Sequence, residues 1–171
     1  SILKTGADEY GTKFPLSFRS FDDYKAPVYI YLTVPFVAVF GLNEFAVRMP
    51  AAIIGGLAVI AVYFLVKEIL KNWNHQKLEW IALASAFFMA ISPWHLQFSR
   101  AAFEGNVGMF FLILGIFCFF KAFSNKWYFL GFIFSFIASI YSYHSFRLID
   151  PLILFALCVL FYKDISRIKV L

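Results

Sequence analysis

Residues 47–70 read VRMPAAIIGGLAVIAVYFLVKEIL. Between Arg48 near the start and the Lys67-Glu68 pair near the end, the stretch holds no charged side chain, and its apolar residues fall on every face of a helical period. Such a segment has no face suited to water. A bilayer core of about 30 Å takes roughly 20 residues of this kind as a helix. Four further apolar stretches follow, at 78–98, 107–123, 127–143 and 148–162, the last carrying Asp150 and Pro151. The whole chain agrees with them: 62% of its 171 residues are hydrophobic, 22% aromatic and 15% charged, with a mean hydropathy of +0.78. That composition excludes an ordinary soluble domain and a disordered chain. Cys118 and Cys158 lie inside apolar runs, as small core hydrophobes do, so a disulfide-stapled secreted fold is excluded too. The expected fold is all-α, a polytopic membrane helical bundle with about five transmembrane helices. Residues 1–46 form an external segment and 47–171 the transmembrane portion.

Lysine and arginine assign the sides, because cytoplasmic loops retain them. Lys67, Lys71, Lys77, Lys121, Lys126, Lys163, Arg167 and Lys169 fall at one end of the alternating spans, whereas the loops at the other end hold Arg100 and Arg147. The net charge of +5 therefore reports topology, not a nucleic-acid partner. Residues 1–46 then lie outside, which calls for a crossing before them. The expectation is that these residues belong to the N-terminal membrane portion of a longer protein, inactive in isolation.

The outer side collects the unusual residues. Asp8, Glu9, Asp22, Asp23, Glu44, Glu104 and Asp150 fall there, against Glu68, Glu79 and Asp164 at the inner end. Within the external segment, 29–40 is apolar but too short to span, so it reads as a helix along the interface, bent by Pro35 and closed by Gly41. Asn43 suits the N-cap of the next helix and Glu44 its dipole. This arrangement holds Asp23 and Lys25 at headgroup depth. Arg100 and Glu104 stand four apart; if the third span begins near Ser99, they share one helical face, where a guanidinium grips phosphate in forked geometry. The third outer loop, Tyr141 to Pro151, repeats the pattern with Tyr143, His144, Arg147 and Asp150. His95 reads as an interfacial histidine rather than a metal ligand, since no second ligand follows at the required spacing.

Asp8-Glu9-Tyr10-Gly11, Lys25-Ala26-Pro27, the run from Phe40 to Pro50, Ser92-Pro93-Trp94-His95 and Arg100-x-x-x-Glu104 together resemble the membrane glycosyltransferases of the protein O-mannosyltransferase and aminoarabinose transferase type, in the glycosyltransferase C superfamily. The resemblance implies a sugar transferred from a polyprenyl-phosphate donor to a protein, lipid or glycan acceptor on the extracytoplasmic face of the plasma membrane. It puts Lys25 at the lipid phosphate, in a Lys-Pro-Pro element whose first proline is here Ala26. Arg48 matches a structural arginine, and Arg100 with Glu104 a basic and acidic pair near the donor. The main catalytic acid is expected upstream of Ser1, with Asp8 and Glu9 as a second acidic element. The expected site is thus Glu104, Asp8 and Glu9 for catalysis; Lys25, Arg100 and Arg147 for the donor phosphate; and Asp23, Tyr143 and His144 for substrate. No residue set reads as a metal site, and a divalent metal is the one cofactor left open. The rival readings are a transporter or flippase-like protein that binds a lipid-linked anion, and a catalytically inactive relative.

Overall fold

A computed structural model of the chain describes residues 2–20 and 23–165. It is 75% helical, and among the described residues its named strands form one small hairpin, so the all-α expectation stands. A short helix α1 (Ile2–Thr5) leads into strands β1 (Phe18–Ser20) and β2 (Asp23–Lys25), which pair antiparallel with Phe18 opposite Lys25. The hairpin is an addition to the expected fold. After it come α2 (Pro27–Phe40), α3 (Glu44–Ile69), α4 (His75–Ile91), α5 (Pro93–Arg100), α6 (Glu104–Ala122), α7 (Tyr128–Ile140), α8 (Phe146–Leu160) and α9 (Tyr162–Ile165).

Local chemistry sets the boundaries. Pro27 opens α2, where its missing N–H costs nothing, and Gly41 ends it at φ 76°, a left-handed conformation that favours glycine. Asn43 caps α3 by accepting the Ala46 N–H at 2.8 Å, Glu44 occupies the first turn and Lys67 the last. Two helices, α3 and α6, are long and apolar enough to cross a membrane, and α4 with α5 make a third candidate if that pair is one span. The pair is bent by 57° at Ser92, because proline disfavours a helical residue before it. The stretch 78–98 is therefore a broken helix rather than a straight one. At 13 residues α7 rises about 20 Å, short of a bilayer core of about 30 Å.

Small residues hold the bundle together, as they do where lipid removes the hydrophobic drive between helices. On α3, Ala46, Ala51 and Ala58 are fully buried, and Ile54 packs with Tyr29 of α2 and Val107 of α6. A Cβ on Gly55 would lie 2.5 Å from the Cβ of Ser99, so only glycine allows α5 to sit this close to α3. Farther along, Cys118 and Phe119 of α6 pack with Phe132 and Phe136 of α7 and Leu157 of α8.

Candidate functional site

Some of the expected site residues come near one another where the start of α2, the start of α6 and the loop from α7 to α8 meet. Lys25 closes β2 and is exposed; Ala26 and Pro27 behind it are buried. Two bonds fasten this segment to a loop more than a hundred residues away. The Val28 N–H donates to the Tyr141 carbonyl at 3.4 Å, and the His144 Nε2–H donates to the Tyr24 carbonyl at 2.7 Å. A carbonyl only accepts, so this contact fixes the proton on Nε2 when the ring is neutral. Tyr143 beside it packs toward the first turn of α6: a Cβ on Gly105 would meet its ring at 3.8 Å. The structure thus brings Lys25, Tyr143, His144 and the α6 start into one neighbourhood.

Glu104 is the first residue of α6. Its charge reaches the buried Tyr29, whose hydroxyl donates to the Val47 carbonyl at 2.7 Å. Burial pushes that hydroxyl up to about 12, opposed by a backbone hydrogen bond and reinforced by Glu104, so Tyr29 stays a donor at any working pH. Arg100 and Glu104 do not share a helical face. The helix stops at Arg100, Ala102 takes a left-handed φ of 57°, and α6 starts afresh at Glu104. Arg100 instead lines a cleft of about 440 Å³ with Glu44, Arg48 and Ser99 at the foot of α3. There Arg48 and Glu44 form an ion pair one helical turn apart, with both side chains more than half exposed. Two guanidiniums and one carboxylate leave this cleft net positive, suited to an anion.

The remaining expected residues are more dispersed. Asp8 Oδ1 accepts the backbone N–H groups of Tyr10 at 3.0 Å and Thr12 at 2.8 Å, which makes it the organiser of a turn. Glu9 is exposed beside it. Arg147 is exposed in the first turn of α8, while Asp150 one turn on is fully buried. Neither Asp150 oxygen has a hydrogen-bond partner among the described residues: the nearby Ser139 hydroxyl donates to the Gly108 carbonyl at 3.1 Å. The Asp23 side chain, like Asp22, Arg167 and Lys169, lies outside the described part.

Two residues gain a place that sequence reasoning did not give them. His95 is buried, not interfacial, with Nε2–H donating to the Gly55 carbonyl at 3.0 Å. Asn106 is 2% exposed and donates from Nδ2 to the Ala51 carbonyl at 3.2 Å. Both lie in the wall of an almost wholly apolar cavity of about 610 Å³ that also touches Phe88, Met109, Tyr143 and Phe146. The sequence signal for Asn106 was a lone amide at the head of an apolar run; for His95 it was Gly55, which lets α5 approach. Among the described residues no group of three or more His, Cys, Asp or Glu is placed to hold a metal ion.

The profile of the dolichyl-phosphate-mannose-protein mannosyltransferase family matches residues 24–168. No curated protein matches the chain, and no solved structure does. The chain belongs to this family of glycosyltransferase C type, and is a membrane glycosyltransferase by that membership.

Proposed function

We propose that the protein transfers a sugar from a polyprenyl-phosphate donor to an acceptor on the extracytoplasmic side, and that the end of the bundle bearing Lys25, Arg100 and Glu104 faces outward. The observation that supports this reading is the bond from His144 to the Tyr24 carbonyl, which joins the strand carrying Lys25 to the α7–α8 loop within the stretch 24–168 that the family profile covers. In this reading the bundle crosses a plasma membrane about five times, with α7 and α8 as shortened crossings.

The chemistry assigns the roles. A sugar phosphate leaves as an anion that needs no general acid, so the site must supply cations for the developing charge and a carboxylate for the acceptor's proton. In this reading Lys25 and Arg100 meet the first need, with the exposed Arg147 as a further cation. Tyr143 borders the sugar, and His144 holds the strand of Lys25 through the Tyr24 carbonyl. Of Asp8, Glu9 and Glu104, this reading gives the proton to Glu104, because Asp8 is committed to its turn and Glu9 stands in solvent beside it. Attack opposite the phosphate inverts the anomeric carbon.

The bend between α4 and α5 favours one second reading, a lipid-linked anion carrier, since carriers use broken helices. Incubating membranes that hold the full-length protein with a panel of radiolabelled polyprenyl-phosphate sugars separates the two. Label moving onto a protein, lipid or glycan acceptor supports the transferase; label crossing the bilayer still attached to its lipid supports the carrier.

A further inference from the structure

The opposite end of the bundle holds a second cavity, of about 1000 Å³, between the last turns of α3 and α6, the start of α7 and the break between α8 and α9. Its wall is divided. Phe120, Phe123 and Phe161 form an apolar side, while Lys71, Lys126 and Asn125 form a polar one. Glu68 organises the charge. Its carboxylate is only 10% exposed and accepts from Lys71 Nζ at 2.9 Å and Lys121 Nζ at 3.2 Å. One carboxylate neutralises one of two ammoniums, so the trio keeps a positive charge. Lys126 at the rim makes no ion pair among the described residues and adds a second, against which the exposed Asp164 sets one negative charge. The lining residues alone are neutral, and Lys121, which pairs with Glu68 without lining the cavity, brings the balance to one positive charge. Each ammonium has three N–H donors; Lys71 gives one to Glu68 and one to Ser124 Oγ at 3.5 Å, which leaves its third open toward an incoming anion beside the ammonium of Lys126.

Position adds to the argument. Trp127 on the rim is 70% exposed and Trp73 close by in sequence to Lys71 is 60% exposed, as tryptophans are in the belt at headgroup level. Lys67, Lys71, Lys121, Lys126 and Lys163 mark this end as the one that the positive-inside pattern turns to the cytoplasm. An apolar floor, a cationic rim and interfacial tryptophan together complement one kind of molecule.

We propose that this cleft binds an anionic phospholipid of the inner leaflet, its phosphate on Lys71 and Lys126 and its acyl chain against the phenylalanine floor. A water-soluble phosphate would leave that floor uncovered. The site is separate from the transfer chemistry, and its assignment to the inner leaflet rests on the proposed orientation of the bundle.

The test uses the full-length protein in phosphatidylcholine vesicles and follows quenching of Trp127 by brominated phosphatidylglycerol or brominated phosphatidylcholine, with Trp127→Phe isolating its signal. Preferential quenching by the anionic lipid is expected. A lysine near the membrane surface gives about a fivefold preference, so Lys71→Gln with Lys126→Gln lowers the preference roughly 25-fold. Lys126→Gln alone, at an exposed rim position that does not threaten folding, lowers it about fivefold. Soluble glycerol phosphate should not displace the lipid. Equal quenching by the two lipids, an unchanged preference in Lys126→Gln, or displacement by glycerol phosphate would each overturn the proposal.

Discussion

Replacing His144 with alanine cuts a side-chain bond that ties the strand bearing Lys25 to the α7–α8 loop, the Nε2–H to Tyr24 carbonyl contact of 2.7 Å. The bond is exposed, so its net worth lies at the lower end of the usual range, about 0.5–1 kcal/mol. Lys25 is the next residue along the strand. Loosening it weakens the grip on the donor phosphate before it touches chemistry, so KM for the donor should rise about two- to fivefold with kcat little changed. The informative experiment is a double-mutant cycle with Lys25→Ala, measured as transfer kinetics in membranes over a range of donor concentrations. If His144 acts by positioning Lys25, then His144→Ala has almost no further effect once Lys25 is gone, and the two changes are strongly non-additive. Additive effects, or a His144→Ala protein with unaltered KM, would refute the positioning argument.

Arg100→Ala and Glu104→Gln should each lower transfer strongly while the protein still inserts in the membrane; normal turnover in both would remove them from the site. Gly55→Val places side-chain atoms where the Ser99 Cβ already lies, so α5 must move off α3. It should destabilise the fold by about 1–3 kcal/mol in detergent unfolding, and Gly55→Ala by less. Asp150→Leu replaces a fully buried carboxyl that has no hydrogen-bond partner among the described residues, so stability should hold or rise by about 1–3 kcal/mol. A marked loss on thermal unfolding would mean that Asp150 has a partner in the folded protein.

The helices were legible where local chemistry and apolar pattern agree. Asn43, Glu44 and Lys67 mark α3 in the sequence as clearly as they do in the fold, and Gly41 stops α2 as a left-handed glycine does. The breaks were harder. An apolar count runs straight through Ser92-Pro93, and nothing in Ala101-Ala102-Phe103 announces the left-handed turn that separates Arg100 from Glu104. The hairpin of β1 and β2 was hidden because three-residue strands carry too little alternation to read. At the site, residue types and sides could be read, but neighbours could not. His144 meets Tyr24 across a separation of 120 residues, and Arg100 lines a cleft with the Glu44–Arg48 pair at the end of a helix, α5, that leaves α4 at an angle of 57°. His95 went inside for a reason that lies in another helix, the missing side chain of Gly55.

The claim at the centre is that the cations at the Lys25 end hold a lipid-linked phosphate. Photolabelling the full-length protein in membranes with a polyprenyl-phosphate analogue that carries its reactive group beside the phosphate, followed by peptide mapping, tests it directly. Label on the segment around Lys25 and on residues 141–147, competed away by unlabelled donor and lost in Lys25→Ala, is the expected result. Competed label confined to segments away from this end, or labelling that Lys25→Ala leaves intact, would contradict the account.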